Sequence, residues 1–210
     1  MLEPSYNITH CAVKKTYKFY APIYDFLFGA ILEPGRRALC DEVHLWQPDT
    51  LLEVGVGTGL LLEKYPASSK ITGVDISDEM LDIARSKTKK LPHMDIRLEA
   101  MDGEKLSFGD NSFDCVVLPY VLSVTPNPEA LVNELRRVCR KDGIIIILNH
   151  FSGSGAWYLL EKTFKNLAEK IGFRSEFSYD KHVLIHDWEV LKTATVNLLG
   201  LSKLVVIRNA

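Results

Sequence analysis

Three glycines at alternate positions, Gly55, Gly57 and Gly59, follow the apolar run Leu51-Leu52-Glu53-Val54, and the acid Asp75 comes further on, after Ile71-Thr72-Gly73-Val74. A strand that turns sharply needs residues without a Cβ, and the missing side chains also let main-chain amides approach a ligand. This order of strand, glycine turn, helix and acid-tipped strand is the unit from which a parallel sheet wrapped by helices is built. In such a sheet the acid ending the second strand lies where a ribose diol needs an acceptor.

The spacing narrows the ligand. A dinucleotide fingerprint reads G-x-G-x-x-G and aims its amides at a pyrophosphate, whereas here the third glycine comes one residue early and Glu53 sits in the strand end. A carboxylate there repels a pyrophosphate. It suits a cationic, phosphate-free ligand, S-adenosylmethionine, whose sulfonium and ammonium are both positive. Three glycines in a turn also fit tight packing alone; Glu53 and Asp75 weigh toward a ligand.

A chain of 210 residues with 47% hydrophobic content fits one globular domain with a sizeable core. The net charge of −2 gives no global field for nucleic acid or an anionic membrane, so nucleic acid is excluded as a partner and any membrane attraction is local. The 4 cysteines, Cys11, Cys40, Cys115 and Cys139, form no C-x-x-C pair and read as reduced, buried thiols of a cytoplasmic protein, with no metal site expected. No secretion signal is legible, and no apolar run approaches the roughly 18 residues that span a bilayer.

Strands are expected at Thr50–Val54, Lys70–Asp75, about Ile96–Glu99, Phe113–Leu118 and Ile144–Leu148, alternating with helices. One helix is expected from Gly59 toward Tyr65. Another is capped by Ser77, with Met80, Leu81 and Ala84 sharing a face, and a third is capped by Asn127, opened by Pro128 and stopped at Gly143. A further helix is expected near 156–171. Two β-rich runs, Glu189–Val196 and Lys203–Arg208, flank Gly200 and read as a hairpin, giving a sheet with an antiparallel edge strand.

Ligands of an open sheet sit beyond the carboxyl ends of its strands, near the reversal of strand order. The residues there are Glu53, Gly55, Gly57, Thr58 and Gly59 after the first strand, Asp75 and Ile76 after the second, and Met101, Asp102 and Gly103 after the third. Pro119, Tyr120 and Val121 follow the fourth, and Asn149-His150 the fifth. Asp102 is placed to accept from an adenine amino group between Met101 and Ile76, and Met80 completes the contacts; as an Asp before Gly103 it equally suits a turn. Tyr120 is read as pocket wall.

The chain resembles the small soluble bacterial phosphatidylethanolamine N-methyltransferases, within the class I S-adenosylmethionine-dependent methyltransferases. The resemblance runs from about Tyr17 to Arg208 and is carried by Tyr20-Ala21-Pro22-Ile23-Tyr24-Asp25, Gly35-Arg36-Arg37, Leu52-Glu53-Val54-Gly55-Val56-Gly57-Thr58-Gly59, Val74-Asp75-Ile76-Ser77, Pro126-Asn127-Pro128-Glu129-Ala130 and Asn149-His150. It implies a Rossmann-like α/β fold, a seven-stranded sheet with an antiparallel edge, and an N-terminal helical lid over residues 1–46 before a methyltransferase domain over 47–210.

The resemblance also implies methyl transfer from S-adenosylmethionine to the ethanolamine amine of a phospholipid, leaving S-adenosylhomocysteine. A quinone or other small acceptor is the alternative, since the Tyr-rich motif recurs in quinone methyltransferases. Tyr20 and Tyr24 are candidates for holding the donor carboxylate or a cationic head group, and His150 for taking the amine proton near neutral pH. Helical packing and a structural histidine are the plainer readings of the same residues. Lys14, Lys15 and Lys18 lie among Val13, Tyr17 and Phe19, which fits an interfacial helix that attaches peripherally and reversibly to an anionic inner membrane face. Packing of this helix on the sheet accounts for the same pattern.

Overall fold

The computed structural model describes residues 32–149, 188–197, 200 and 202–210. Its strands are β1 (Thr50–Val54), β2 (Lys70–Asp75), β3 (Asp95–Ala100), β4 (Phe113–Pro119), β5 (Cys139–Asn149), β6 (Glu189–Val196) and β7 (Ser202–Arg208). They form a 7-stranded sheet in the order β3-β2-β1-β4-β5-β7-β6. β1 to β5 run parallel, whereas β7 pairs antiparallel with both β5 and β6 and so builds the antiparallel edge as a hairpin. The chain steps outward from β1 to β3 and then crosses back to β4 on the other side of β1. The connections after β1 and β4 therefore diverge and leave a crevice at the carboxyl ends of these two strands.

Period-two alternation decides which side of the sheet each residue packs on. Leu52, Val54, Val116, Leu118, Ile145 and Ile147 face one side, against Leu131, Val132, Leu135 and Val138 of helix α3 (Pro128–Val138). Leu51, Ile71, Cys115, Val117, Ile144 and Ile146 face the other. There they meet Leu39, Cys40 and Val43 of helix α1 (residues 32–46) and Leu81 and Ala84 of helix α2 (Asp78–Thr88). Burial on both faces explains why β4 and β5 read as continuous apolar runs. Each large side chain sealed here, Leu135 for one, contributes about 1.5–3 kcal/mol relative to exposure.

The helix starts follow the expected chemistry. Ser77 Oγ accepts from Met80 N at 3.3 Å, and Asn127 Oδ1 accepts from Ala130 N at 3.0 Å with Pro128 in the first turn. Two expectations are corrected. No α-helix follows Gly59: the chain makes turns and a short 3-10 segment, Leu62–Lys64, before Tyr65 becomes extended (φ −80°, ψ 159°) ahead of Pro66. Helix α3 ends at Val138 rather than at Gly143, and Cys139 already begins β5, paired with Phe113. Asn209 fixes that boundary, its Nδ2 lying within hydrogen-bond reach of the carbonyls of Arg136 at 3.0 Å, Cys139 at 2.8 Å and Arg140 at 3.2 Å. The helix expected near 156–171 lies outside the described residues.

Cys40, Cys115 and Cys139 are free and buried. Burial pushes the Cys40 and Cys139 thiols up to about 12 and Cys115 well above its ordinary value, so all three are held as thiols. Among the described residues no helix is long and apolar enough to cross a membrane.

Candidate methyl-donor site

The crevice between β1 and β4 opens into a cavity of about 200 Å³. It is lined by Glu53, Gly55, Gly57 and Thr58 from the end of β1, by Asp75, Ile76 and Met80 from β2 and α2, by Met101, Asp102 and Gly103 after β3, and by Pro119 and Tyr120 after β4. Gly59 does not line it: a Cβ there would meet Leu62 Cδ1 at 2.8 Å and Ala84 Cβ at 3.1 Å, so this glycine serves packing against α2. Asn149 is fully buried, with its Oδ1 accepting from Ser123 Oγ at 3.3 Å, and does not line the cavity. Tyr20, Tyr24 and His150 lie outside the described residues.

The glycine turn is shaped by two different demands. Gly55 and Val56 both donate to Val74 O, at 2.8 and 3.0 Å, which pulls the turn against β2. At φ +78° Gly55 takes a conformation other residues avoid, and a Cβ would lie 2.1 Å from Val121 Cγ2. Gly57, at φ +54°, has no atom within 4 Å of its Cβ position. That open space is cavity, so a side chain here would occupy the room a ligand needs.

Asp75 closes the turn from the other side. Its Oδ2 accepts from Gly57 N at 2.8 Å and its Oδ1 from Ser77 N at 2.9 Å. Burial raises its pKa above the ordinary value, outweighing the amides of Ser77, Gly57 and Ile76, which lower it. Met101 N donates to Asp75 O at 2.9 Å, fixing the third loop beside the second. Asp102 lines the cavity, and its Oδ1 accepts from Glu104 N at 2.9 Å, the turn its sequence suggested.

Glu53 is the strongest electrostatic feature. It is 1% exposed, it lines the cavity, and its Oε2 has no hydrogen-bond partner among the described residues. Burial pushes its pKa up to about 8; the nearby Tyr65 hydroxyl lowers it, Asp75 raises it and Arg36 lowers it. The Tyr65 hydroxyl, likewise buried, is the neighbour that most favours the charged form of Glu53. A buried carboxyl without a geometric partner, on a residue that lines the cavity, suits a cationic ligand.

Arg36, on α1, and Leu32 line the same cavity, as do Val121, Val124, Thr125 and Pro126 after β4. Of these, sequence reasoning placed only Val121 among the residues that end a strand at the site. Arg36 is only 6% exposed, and its Nη1 lies 3.8 Å from Glu33 Oε2. The Gly35-Arg36-Arg37 motif was the one available signal, since helical spacing alone says nothing of which end of α1 reaches the crevice.

The donor set fits S-adenosylmethionine on the structure's own terms. The open Oε2 of Glu53 suits an ammonium, the empty Cβ position of Gly57 leaves room for the ligand, and Ile76, Met80 and Met101 offer apolar surface beside the Asp75 and Asp102 carboxylates.

A family model described as a methyltransferase domain matches residues 52–147. Phosphatidylethanolamine N-methyltransferase of Cereibacter sphaeroides is 38% identical over 192 residues, which cover 90% of this chain and 94% of that protein. Demethylmenaquinone methyltransferase of Tropheryma whipplei is 31% identical over 113 residues, 53% of this chain and 46% of that protein. The fold is shared with an S-adenosylmethionine-dependent methyltransferase of Thermotoga maritima, described as a possible histamine N-methyltransferase, at a TM-score of 0.68 with 18% identity, over 94% of this chain and 100% of that one. Fold, cavity and kinship agree, and the chain belongs to the phosphatidylethanolamine N-methyltransferase family of class I S-adenosylmethionine-dependent methyltransferases.

Proposed function

We propose that the enzyme methylates the ethanolamine amine of phosphatidylethanolamine at the surface of a membrane. The observation that carries this reading is the extent of the kinship. A match over 90% of the chain takes in His150 and the segment after it, where an acceptor would be chosen, whereas the demethylmenaquinone relative matches only 53%. That second match supports a quinone-like acceptor as the second reading.

The donor, when bound, supplies a methyl group on a positively charged sulfonium. Displacement there needs an in-line, deprotonated amine and little covalent help, so orientation is the main contribution asked of the protein. Glu53 takes the donor ammonium, Asp75 the ribose hydroxyls and Asp102 the adenine amino group, while Arg36 supplies positive charge for the donor carboxylate. His150 accepts the proton that the amine loses, and the rings of Tyr20 and Tyr24 hold a head group whose methylated products are quaternary ammoniums. Lys14, Lys15 and Lys18 attach the N-terminal segment to an anionic surface, each contributing about 1 kcal/mol.

The test supplies radiolabelled S-adenosylmethionine with phosphatidylethanolamine, its mono- and dimethyl forms and a quinone precursor, and resolves the products. Label in the phospholipids supports the proposal, and label confined to the quinone replaces it with the second reading. Replacing Tyr24 or His150 is expected to lower turnover more than donor affinity. A chain lacking the residues through Phe19 is expected to lose binding to anionic liposomes.

A further inference from the structure

Around Tyr120 three parts of the chain that are remote in sequence meet through one side-chain amide. Asn197, just past β6, accepts from Gly35 N through Oδ1 at 2.7 Å. Through Nδ2 it donates to Ser202 Oγ at 2.7 Å and to the Tyr120 hydroxyl at 3.0 Å. Its oxygen and both its hydrogens are thus engaged. Gly35 N can only donate, so the amide has one orientation; turned over, it would set N–H against N–H. The next bond follows from this. The Tyr120 hydroxyl accepts from Asn197 and directs its own proton to Leu32 O, at 3.3 Å.

The local backbone is arranged for this meeting. Tyr120 and Asn197 both sit at positive φ, +60° and +68°, a region that an aromatic residue seldom occupies. Gly35 has no room for a side chain: a Cβ would lie 2.6 Å from the Tyr120 hydroxyl and 2.9 Å from Asn197 Oδ1. Farther along α1, Lys192 of β6 pairs with the buried Glu42, seven residues after Gly35 and on the same helical face. The hairpin therefore grips α1 twice. The grip nearer the cavity holds Tyr120 directly, Leu32 through the Tyr120 hydroxyl and Arg36 through its neighbour Gly35, and all three line the cavity.

We infer that Asn197 is a positioning residue of the methyl-donor site, fixing Tyr120 and the cavity end of α1 as one wall while lying outside the lining itself. The inference rests on reading this cavity as the donor site, and the experiment separates the two. Affinity for S-adenosylhomocysteine is measured by calorimetry on folded wild type, Asn197→Ala, Asn197→Asp, Tyr120→Phe, the double variant Asn197→Ala/Tyr120→Phe, and Asp75→Ala as a control. Asn197→Ala is expected to weaken binding by about tenfold, the double variant by no more than the worse single one, since both cut the same node. Asn197→Asp is expected to recover most of the loss, because its carboxylate still accepts from Gly35 N and can accept from both hydroxyls. A loss below about fivefold in Asn197→Ala overturns the inference, whatever happens to the melting temperature. If Asn197→Ala does not fold, the same threshold is read on Tyr120→Phe, which removes one oxygen only. An Asp75→Ala control with unchanged affinity refutes the cavity assignment instead.

Discussion

Gly57 N donates to Asp75 Oδ2 at 2.8 Å, joining the turn after β1 to the acid that ends β2. Because Ser77 N engages the other oxygen at 2.9 Å, one carboxylate ties the turn after β1 to the loop after β2. Removing it loses an acceptor for the ligand and also frees two amides that shape the turn. Asp75→Ala is expected to weaken S-adenosylhomocysteine binding by at least about tenfold, measured by calorimetry, with the circular dichroism spectrum retained. Asp75→Asn is expected to be nearly as poor, since its NH2 would face one of the two N–H groups.

Glu53 gives a pH dependence whose sign is fixed by burial. Its pKa stands at about 8 against an ordinary 4.5, so between these values the folded protein keeps a proton that the unfolded chain has released. Stability then falls as pH rises through that window and levels off above it, by a few kcal/mol, on the order of what the linkage relation allows. Glu53→Gln should flatten this slope in denaturant titrations run across the window. A cationic ligand favours the carboxylate, so donor binding at neutral pH should release a proton, seen as a binding enthalpy that changes with the buffer; Glu53→Gln should remove that change.

The glycines of the turn should separate cleanly on substitution. Gly55→Ala forces a Cβ to within 2.1 Å of Val121 Cγ2 at φ +78°, and is expected to lower stability by about 2–4 kcal/mol, read from chemical denaturation. Gly57→Ala meets no neighbour, costs about 1 kcal/mol for its φ alone, and instead weakens ligand binding by filling the cavity. Equal stability losses in the two variants would contradict this division.

Asn209 carries a packing role far from the site. Its side chain lies against three carbonyls at the end of α3, and its backbone exchanges bonds with Asp142 N at 2.8 Å and Gly143 O at 2.9 Å. Asn209→Ala removes the side-chain donor from these main-chain carbonyls and is expected to cost about 1–3 kcal/mol in stability without altering ligand affinity.

What the sequence displays is what neighbouring residues decide. Ser77 and Asn127 cap the helices that follow them, the continuous apolar runs of β4 and β5 are plain, and Glu53, Gly57 and Asp75 could be placed at one pocket from their positions at strand ends. The end of α3 could not, because it is set by Asn209, which lies 73 residues beyond Arg136. Arg36 was hidden for the same reason. A basic residue on an amphipathic helix reads as solvated until packing shows that its turn ends against the crevice. The turn after Gly59 failed as a helix because Pro66 leaves too few residues for one, a limit visible in the sequence but outweighed by the familiar strand-to-helix pattern.

The bond from Gly35 to Asn197 spans 162 positions, and the Lys192–Glu42 pair spans 150. During synthesis α1 emerges well before the residues that hold it. Loop closure over such distances is slow and is rewarded only when both partners are present. The glycine turn and Asp75 can assemble on the nascent sheet, but the Tyr120 wall waits for the β6–β7 hairpin. A nascent chain that still lacks β6 and β7 therefore has the glycine-turn side of the cavity without its Tyr120 side, and the two come together only once the hairpin has been made.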